Sequence, residues 1–310
     1  MILPKLELII MTDHHIAMLN LPSIQTLCCH RTSLAVLKAS GEGIRDYLQG
    51  QITQDINLLT PTNPIYTAVL TPQGKMIADM HIIDIGDELI LITQATYAAT
   101  LVERLRRFAL GHGIRLGCVE SLGILSIQGE ATKQIIQEIT QPIEASLPMS
   151  EAASQGVWLV MKNADIHKAL ANIPNTCDES DLEKATILYG TPRFGRDWNA
   201  STHPLNANLI EMNGVNFDKG CYVGQEVTSR MHWRKGIKKK LYHVKIKGNS
   251  PHAPCPIQSK HKIGMLTSAA TNASHESFGI AHLPIESVEN NTPLSLENGD
   301  NITVLKACHA

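Results

Sequence analysis

The hydrophobic pattern of this chain changes character near Lys238, and that change limits which folds it can adopt. Before it, short strand candidates alternate with helix candidates. Residues 33–39 and 122–128 read as strands, and 42–49 and 131–139 as helices. Residues 65–70 and 75–85 read as two strands joined by a Thr-Pro-Gln-Gly turn, followed by a third at 88–93. Tyr97, Leu101, Leu105 and Phe108 recur at helical spacing, with Glu103 able to pair with Arg107 and Gly111 placed to end the helix. Residues 157–161 read as a strand, and Ser180 to Glu183 looks like a capping box opening a helix that reaches Tyr189. This order predicts an α+β fold with mixed or antiparallel sheets. After Lys238, strand candidates at 240–247, 262–268, 277–283 and 301–305 are separated by turns that include Pro251, Pro254 and Pro256. Helical periodicity is absent there, so a small C-terminal β-barrel is expected. For 310 residues two or three domains are expected. The division read here is a 1–20 tail, expected to be mobile, a 21–235 α+β region with two subdomains, and a 236–310 barrel.

Composition narrows the function classes. A net charge of -2 argues against a broadly basic nucleic-acid coat, but not against a local basic patch. The seven cysteines are odd in number and contain no CxxC pair, which suggests neither a disulfide framework nor a zinc ribbon. A reducing cytoplasm is the expected location. No run of eighteen apolar residues predicts a membrane span, and the N-terminus, interrupted by Lys5, Glu7 and Asp13, lacks the core of a signal peptide. Met1, Met11 and Met18 are all candidate starts. Asp13-His14-His15 is read as an idle exposed stretch.

The densest chemistry lies in Asn216-Phe217-Asp218-Lys219-Gly220-Cys221-Tyr222-Val223-Gly224-Gln225-Glu226. Gly220 and Gly224 permit sharp turns or close approach by a partner. Lys219 is expected to place a positive charge beside the thiol, and a short helix holding Tyr222 to Glu226, capped by Asp218 or a neighbour, to add the positive end of its dipole. Both would favour the thiolate. A thiolate with open access suits an iron–sulfur cluster, but one thiolate cannot hold a cluster alone, so a cluster shared with a partner is the sensible form. Cys221 as a covalent nucleophile is the second reading. Gln225 and Glu226 either orient the loop or bind a ligand amide. Arg230, Met231, His232, Trp233, Arg234 and Lys235, then Lys238, Lys239 and Lys240, set an aromatic among cations. That pattern suits RNA, an acidic partner protein or a folate polyglutamate tail, and equally a solvated linker. Gly41-Glu42-Gly43 and Gly111-His112-Gly113 are read as structural turns.

The Lys219–Glu226 run resembles the signature of the YgfZ family of folate-binding-like proteins. These are relatives of the glycine cleavage T-protein, an aminomethyltransferase, and of mitochondrial iron–sulfur assembly factors. Tyr47-Leu48-Gln49-Gly50-Gln51-Ile52-Thr53-Gln54-Asp55, Thr71-Pro72-Gln73-Gly74-Lys75-Met76 and His203-Pro204-Leu205-Asn206-Ala207-Asn208-Leu209 resemble further family segments, in the family's order. The resemblance implies a T-protein-like folate-binding region followed by a β-barrel. It also implies an accessory role in assembling or repairing iron–sulfur clusters of client enzymes, including those that modify tRNA, without independent turnover. It implies Cys221 as the functional thiol and shared cluster ligand, tetrahydrofolate or a related folate as cofactor, and iron–sulfur carriers or client enzymes as partners. A tetrahydrofolate-dependent one-carbon transferase and an RNA-binding module acting through residues 230–240 are the alternatives.

Two departures from the relatives' pattern stand out. Where the aminomethyltransferase carries paired aspartates, this chain has Ala78 and Asp79. Alanine cannot move a proton, and Asp79 points to the opposite face of its strand, so aminomethyl transfer is not expected. Where relatives carry an acidic residue for the pterin ring, this chain has Leu188, which predicts weak folate binding, with Arg193 and Asp197 nearby as compensating candidates and Asp79 as a further folate-binding candidate.

Overall fold

The computed structural model describes residues 26–309 apart from 110–112, 150–154, 175, 235, 249–251 and 260. The 1–20 tail, the Asp13-His14-His15 stretch, Gly111, His112 and Lys235 lie outside the described residues.

Two antiparallel sheets form the α+β part. The first holds β2 (Leu34–Ser40), β3 (Ile65–Leu70), β4 (Met76–Asp84), β5 (Glu88–Gln94) and β6 (Arg115–Cys118) in the order β3-β4-β5-β2-β6. The second holds β1 (Leu27–His30), β7 (Leu122–Gln128), β8 (Ala145–Pro148) and β9 (Gly156–Lys162) in the order β1-β7-β9-β8. Leu34, Val36, Ile90 and Ile92 of the first pack on Ile124, Trp158 and Val160 of the second, so the sheets bury one face each against the other. That two-sided burial explains the near-continuous apolar runs of β5, β7 and β9.

The outer face of the first sheet carries α1 (Ile44–Gln49) and α2 (Ala95–Phe108), and that of the second carries α3 (Thr132–Glu138) and α4 (Asn163–Leu170). Leu101 and Leu105 of α2 are fully buried, as their helical spacing predicts, and Arg107 pairs with Glu103. The helix stops at Phe108, before Gly111, with Ala109 as its last cap. The β1, β6 and β8 strands and α4 were not read from sequence. Three are four-residue strands and the fourth a single helix of two turns, too short for a period to show.

The expected capping box fails in a specific way. The next helix, α5 (Glu179–Tyr189), begins before Ser180, with Asp178 at its N-cap and no side-chain cap bond. Glu183 turns instead to three guanidinium groups, Arg31 at 3.5 Å, Arg196 at 2.8 Å and Arg193. Charged partners outcompete a backbone N–H for a carboxylate.

Residues 190–224 then fold back over the first sheet, and α6 (Gln225–Trp233) follows. The rest is a closed antiparallel barrel of β10 (Lys239–Lys247), β11 (Cys255–Gln258), β12 (Lys262–Thr271), β13 (Ser277–Pro284), β14 (Leu294–Leu296) and β15 (Asn301–Ala307), in the order β10-β13-β12-β11-β14-β15, with α7 (Ile285–Glu289) after β13. Two buried side chains fasten it to the rest. Asn208 donates to the Leu241 and Cys308 carbonyls at 2.9 and 2.8 Å and accepts from Leu241 N–H at 2.8 Å. Asp197 accepts from Thr267 and Ser268 hydroxyls at 2.8 and 2.6 Å. Among the described residues no helix is long and apolar enough to cross a membrane.

Candidate functional site

The four sequence segments singled out above converge on one loop. Asn216 opens it: its side-chain oxygen accepts the N–H groups of Asp218 at 2.7 Å and Lys219 at 3.1 Å, an Asx turn. Lys219 then points inward. Its ammonium donates to the carbonyls of Gln49, Ile52 and Gln54 at 2.8, 2.7 and 2.9 Å, within the Tyr47-to-Asp55 segment. Those carbonyls are held in place because Gln49 bridges Asp55 and Ile56, while Thr53 and Gln54 bond to Gly214 and Asn213. Burial pulls the Lys219 ammonium down to about 8, and the Asp55 charge partly opposes this. The lysine is therefore a clamp under the loop rather than a charge beside the thiol, which corrects the sequence expectation.

The second glycine is fixed by contact. Gly224 has φ +84°, and a Cβ there would lie 2.6 Å from the Thr71 carbonyl and 3.2 Å from Gly74. The Thr71-to-Met76 turn thus seats directly on the loop, and His203 of the fourth segment bonds the Gly74 carbonyl at 2.8 Å. Gly220 differs: it is exposed, and a Cβ there would meet nothing within 4 Å. Tyr222 is buried beneath the loop with the Lys219 ammonium 5.0 Å from its ring. Cys221, between a buried lysine and a buried tyrosine, is left exposed.

The helix after the loop does not start at Asp218. It begins at Gln225 with Gly224 as N-cap, so Cys221 sits three residues before the cap. Gln225 reaches back to the Tyr222 N–H at 3.3 Å, and Glu226 pairs with Arg230 at 2.7 Å on the surface. Residues 230–233, weighed above as part of a linker, are the last turn of this helix. There Phe217 stacks on His232 with centroids 3.9 Å apart, and Trp233, 71% exposed, sits edge-on to His232. Arg234, Lys238 and Lys239 are exposed nearby, while Lys240 is tied to Glu211.

A separate cavity of about 80 Å³ lies between the two sheets, lined by Tyr66, Asp79, Trp158, Arg193, Phe194 and Trp198 among others. The Tyr66 hydroxyl donates to Asp79 at 2.7 Å. Burial pushes the Asp79 carboxyl up to about 6, restrained by that hydrogen bond and by the Arg193 charge. Burial and the Asp79 charge keep the Tyr66 phenol protonated well above its ordinary range. Among the described residues the buried Trp198 Nε1 has no hydrogen-bond partner. Ala78, by contrast, is fully buried in the opposite core, so strand alternation aims Asp79, not residue 78, at the cavity. The argument from Ala78 against transfer chemistry loses its physical basis. Leu188 and Asp197 do not line the cavity. Asp197 is occupied by Arg193 N–H, Arg196 and the barrel hydroxyls. None of residues 219–226 lines it either, so thiol and cavity are two sites.

No family model matches the chain. Its fold is similar to that of the glycine cleavage system aminomethyltransferase T from Bartonella henselae, with a TM-score of 0.80 at 14% identity over 93% of this chain and 86% of that one. Among sequences, it is 27% identical over 67% of its length to the tRNA-modifying protein YgfZ of Hamiltonella defensa, 24% over 72% to that of Colwellia psychrerythraea, and 29% over 72% to the mitochondrial iron–sulfur cluster assembly factor IBA57 homologue of Neurospora crassa. The chain is similar in sequence to proteins of the YgfZ and IBA57 type. The alignments span 66%, 74% and 55% of those relatives' own lengths.

The sequence located the loop but not the contacts that build it. The His203–Gly74 contact and the Lys219 clamp lacked a local signal because their partners lie 129 and 165–170 residues away. Trp198, Tyr66 and the Arg31–Glu183 cluster were also missed. An arginine in a stretch as apolar as β1 and β2 was the available clue, since a cation there must be paired. Among the described residues, no three His, Cys, Asp or Glu side chains converge as a metal cage.

Proposed function

We propose that the chain is an accessory protein for assembly or repair of iron–sulfur clusters in client enzymes, acting through Cys221. The observation that carries this reading is the exposed thiol on a loop clamped by Lys219, Gly224 and Tyr222, with three other segments of the chain spent on holding it. Relatives named for tRNA modification and for iron–sulfur assembly support the class of task. The cluster is cargo: Cys221 contributes one thiolate, and the carrier or client enzyme contributes the others. Open Gly220 lets a partner backbone approach the sulfur. The Trp233, Arg234, Lys238 and Lys239 surface is a docking face for an anionic carrier or client, with tRNA reached through the client. Cys221→Ala is expected to fold as the wild type does and to leave iron–sulfur enzyme activity unrestored in cells lacking the protein. Full restoration by the variant would refute the role.

A second reading, a folate-linked one-carbon transfer, is favoured by one observation: a carboxyl near 6 in a cavity that also holds Arg193 and an unpartnered indole N–H. Reduced folate, when bound, would supply an acceptor nitrogen for a one-carbon unit. Asp79 would hold or release a proton at its carboxylate, and Trp198 Nε1 would donate to the ring. The cavity is smaller than the roughly 300–1,000 Å³ of common ligand sites, so a ring rather than a whole folate fits these rotamers. Calorimetry with tetrahydrofolate is expected to show weak binding that falls about tenfold or more in Asp79→Ala, the loss of one charged hydrogen bond. Equal binding by the variant would remove this reading.

A further inference from the structure

Besides Cys221 the fold brings together a second pair of thiols. Cys28 forms a parallel β-bridge with Thr176, and the Cys177 N–H donates to the Cys28 carbonyl at 3.0 Å. The next residues along the two segments, Cys29 and Cys177, therefore stand opposite each other. Alternation turns Cys28 into the core beneath α3 and α4 and turns Cys29 to the other face, where it packs with Leu182, Ala185 and Cys177. Neighbouring strands lie about 5 Å apart, inside the roughly 4.4–6.8 Å window of Cα separations that a disulfide bridges. Cys29 is buried and Cys177 is partly open to solvent, so one sulfur of the pair is reachable and the other is not.

We propose that Cys29 and Cys177 are a dithiol–disulfide pair that reacts with low-molecular-weight disulfides such as oxidised glutathione. The Cys177 thiolate attacks one glutathione sulfur, the S–S bond breaks, and one glutathione thiolate leaves. The Cys29 thiol gives its proton to that departing thiolate, and its sulfur attacks the Cys177 sulfur, forming the protein disulfide and expelling the second glutathione thiolate, which solvent protonates. Two protein thiols are oxidised and one glutathione disulfide is reduced to two thiols. Hydrogen bonding from the Cys29 thiol draws the Cys177 thiol below its ordinary range, with the Arg31 charge also contributing, which suits Cys177 to attack first. The same contact, with burial, raises Cys29, the resolving thiol. The crosslink ties β1 to the segment that feeds α5. That helix carries Glu179, bonded to Arg31, Thr32 and Ser33, and Glu183, which holds the cavity's Arg193. Oxidation thus fixes the helix that positions the cavity's cation, at a distance from Cys221.

The test is a titration of the reduced native protein with oxidised glutathione, followed by alkylation under denaturing conditions and peptide mass mapping. Labelling of Cys29 and Cys177 should fall together, with their peptides joined and two hydrogens lighter. Dithiothreitol should restore both. Cys177→Ser, at the partly open position, should leave Cys29 fully labelled. Cys28→Ser and Cys221→Ser should keep the crosslink, and Cys29→Ala should leave Cys177 carrying glutathione. Stable glutathione on Cys177 of the wild type with Cys29 still labelled, or both thiols unchanged, would overturn the proposal.

Discussion

Lys219 and Asp79 show how a residue's surroundings reassign its role. By sequence Lys219 stood next to a thiol, and by structure it satisfies three carbonyls. Asp79, a folate-binding candidate whose strand face argues against its replacing the missing carboxylate at 78, is the cavity's carboxylate. Alternation holds along this strand, with Asp79 facing the cavity and Ala78 the opposite core. Asp79 yields a pH prediction. Its folded value of about 6 lies above the ordinary 3.8, so the folded protein holds a proton between those values that the unfolded chain has already released. Stability contributed there is full below the ordinary value and is lost as pH rises through about 6. Asp79→Asn keeps an acceptor for Tyr66 and removes the buried charge. Urea unfolding at neutral pH should show a gain of about 1–3 kcal/mol, discounted for the group's partial exposure. The gain should vanish at pH values below the ordinary carboxyl range. A loss at neutral pH would mean that the anion is required by its neighbours.

At the scale of elements, what was legible followed from local pattern. The 65–94 meander showed its alternation and turn residues, and α2 showed its stripe. A short helix after Cys221 is expected from sequence, but the extent of α6 to Trp233 is not legible, because Thr228 is its one buried position and no apolar stripe announces it. The same element separates two glycines that look equivalent in sequence. Gly224 caps α6 in a left-handed conformation against the Thr71 carbonyl, so Gly224→Ala should cost about 2 kcal/mol or more and loosen the Cys221 loop. Gly220→Ala should change stability by less than about 0.5 kcal/mol. Thermal melts with alkylation rates at Cys221 distinguish them. If Gly220→Ala folds normally yet fails to support iron–sulfur enzymes, close partner approach at Gly220 is the reason.

Across the whole molecule, the barrel was legible from its spaced turns, and its attachment was not. Asn208 lies in a segment that sequence marked only as a family resemblance, and its partners, Leu241 and Cys308, are 33 and 100 residues away. Asn208→Ala removes three hydrogen bonds and leaves buried backbone groups unpaired, a cost of about 2–4 kcal/mol. The predicted readout is a lower urea midpoint with protease cutting first between α6 and β10. An unchanged midpoint would show that apolar packing alone seats the barrel.

The Lys219 clamp also sets a schedule. The carbonyls of Gln49 and Gln54 wait for an amine 170 and 165 residues further along the chain. At roughly 5–20 residues per second of synthesis, that is a delay of roughly 10–30 s. Until it ends, the segment beneath the loop lacks its central partner, and the loop itself has not left the ribosome. The clamped, exposed sulfur is therefore offered only after the α+β region up to the loop has been made, and a shorter nascent chain presents no such thiol.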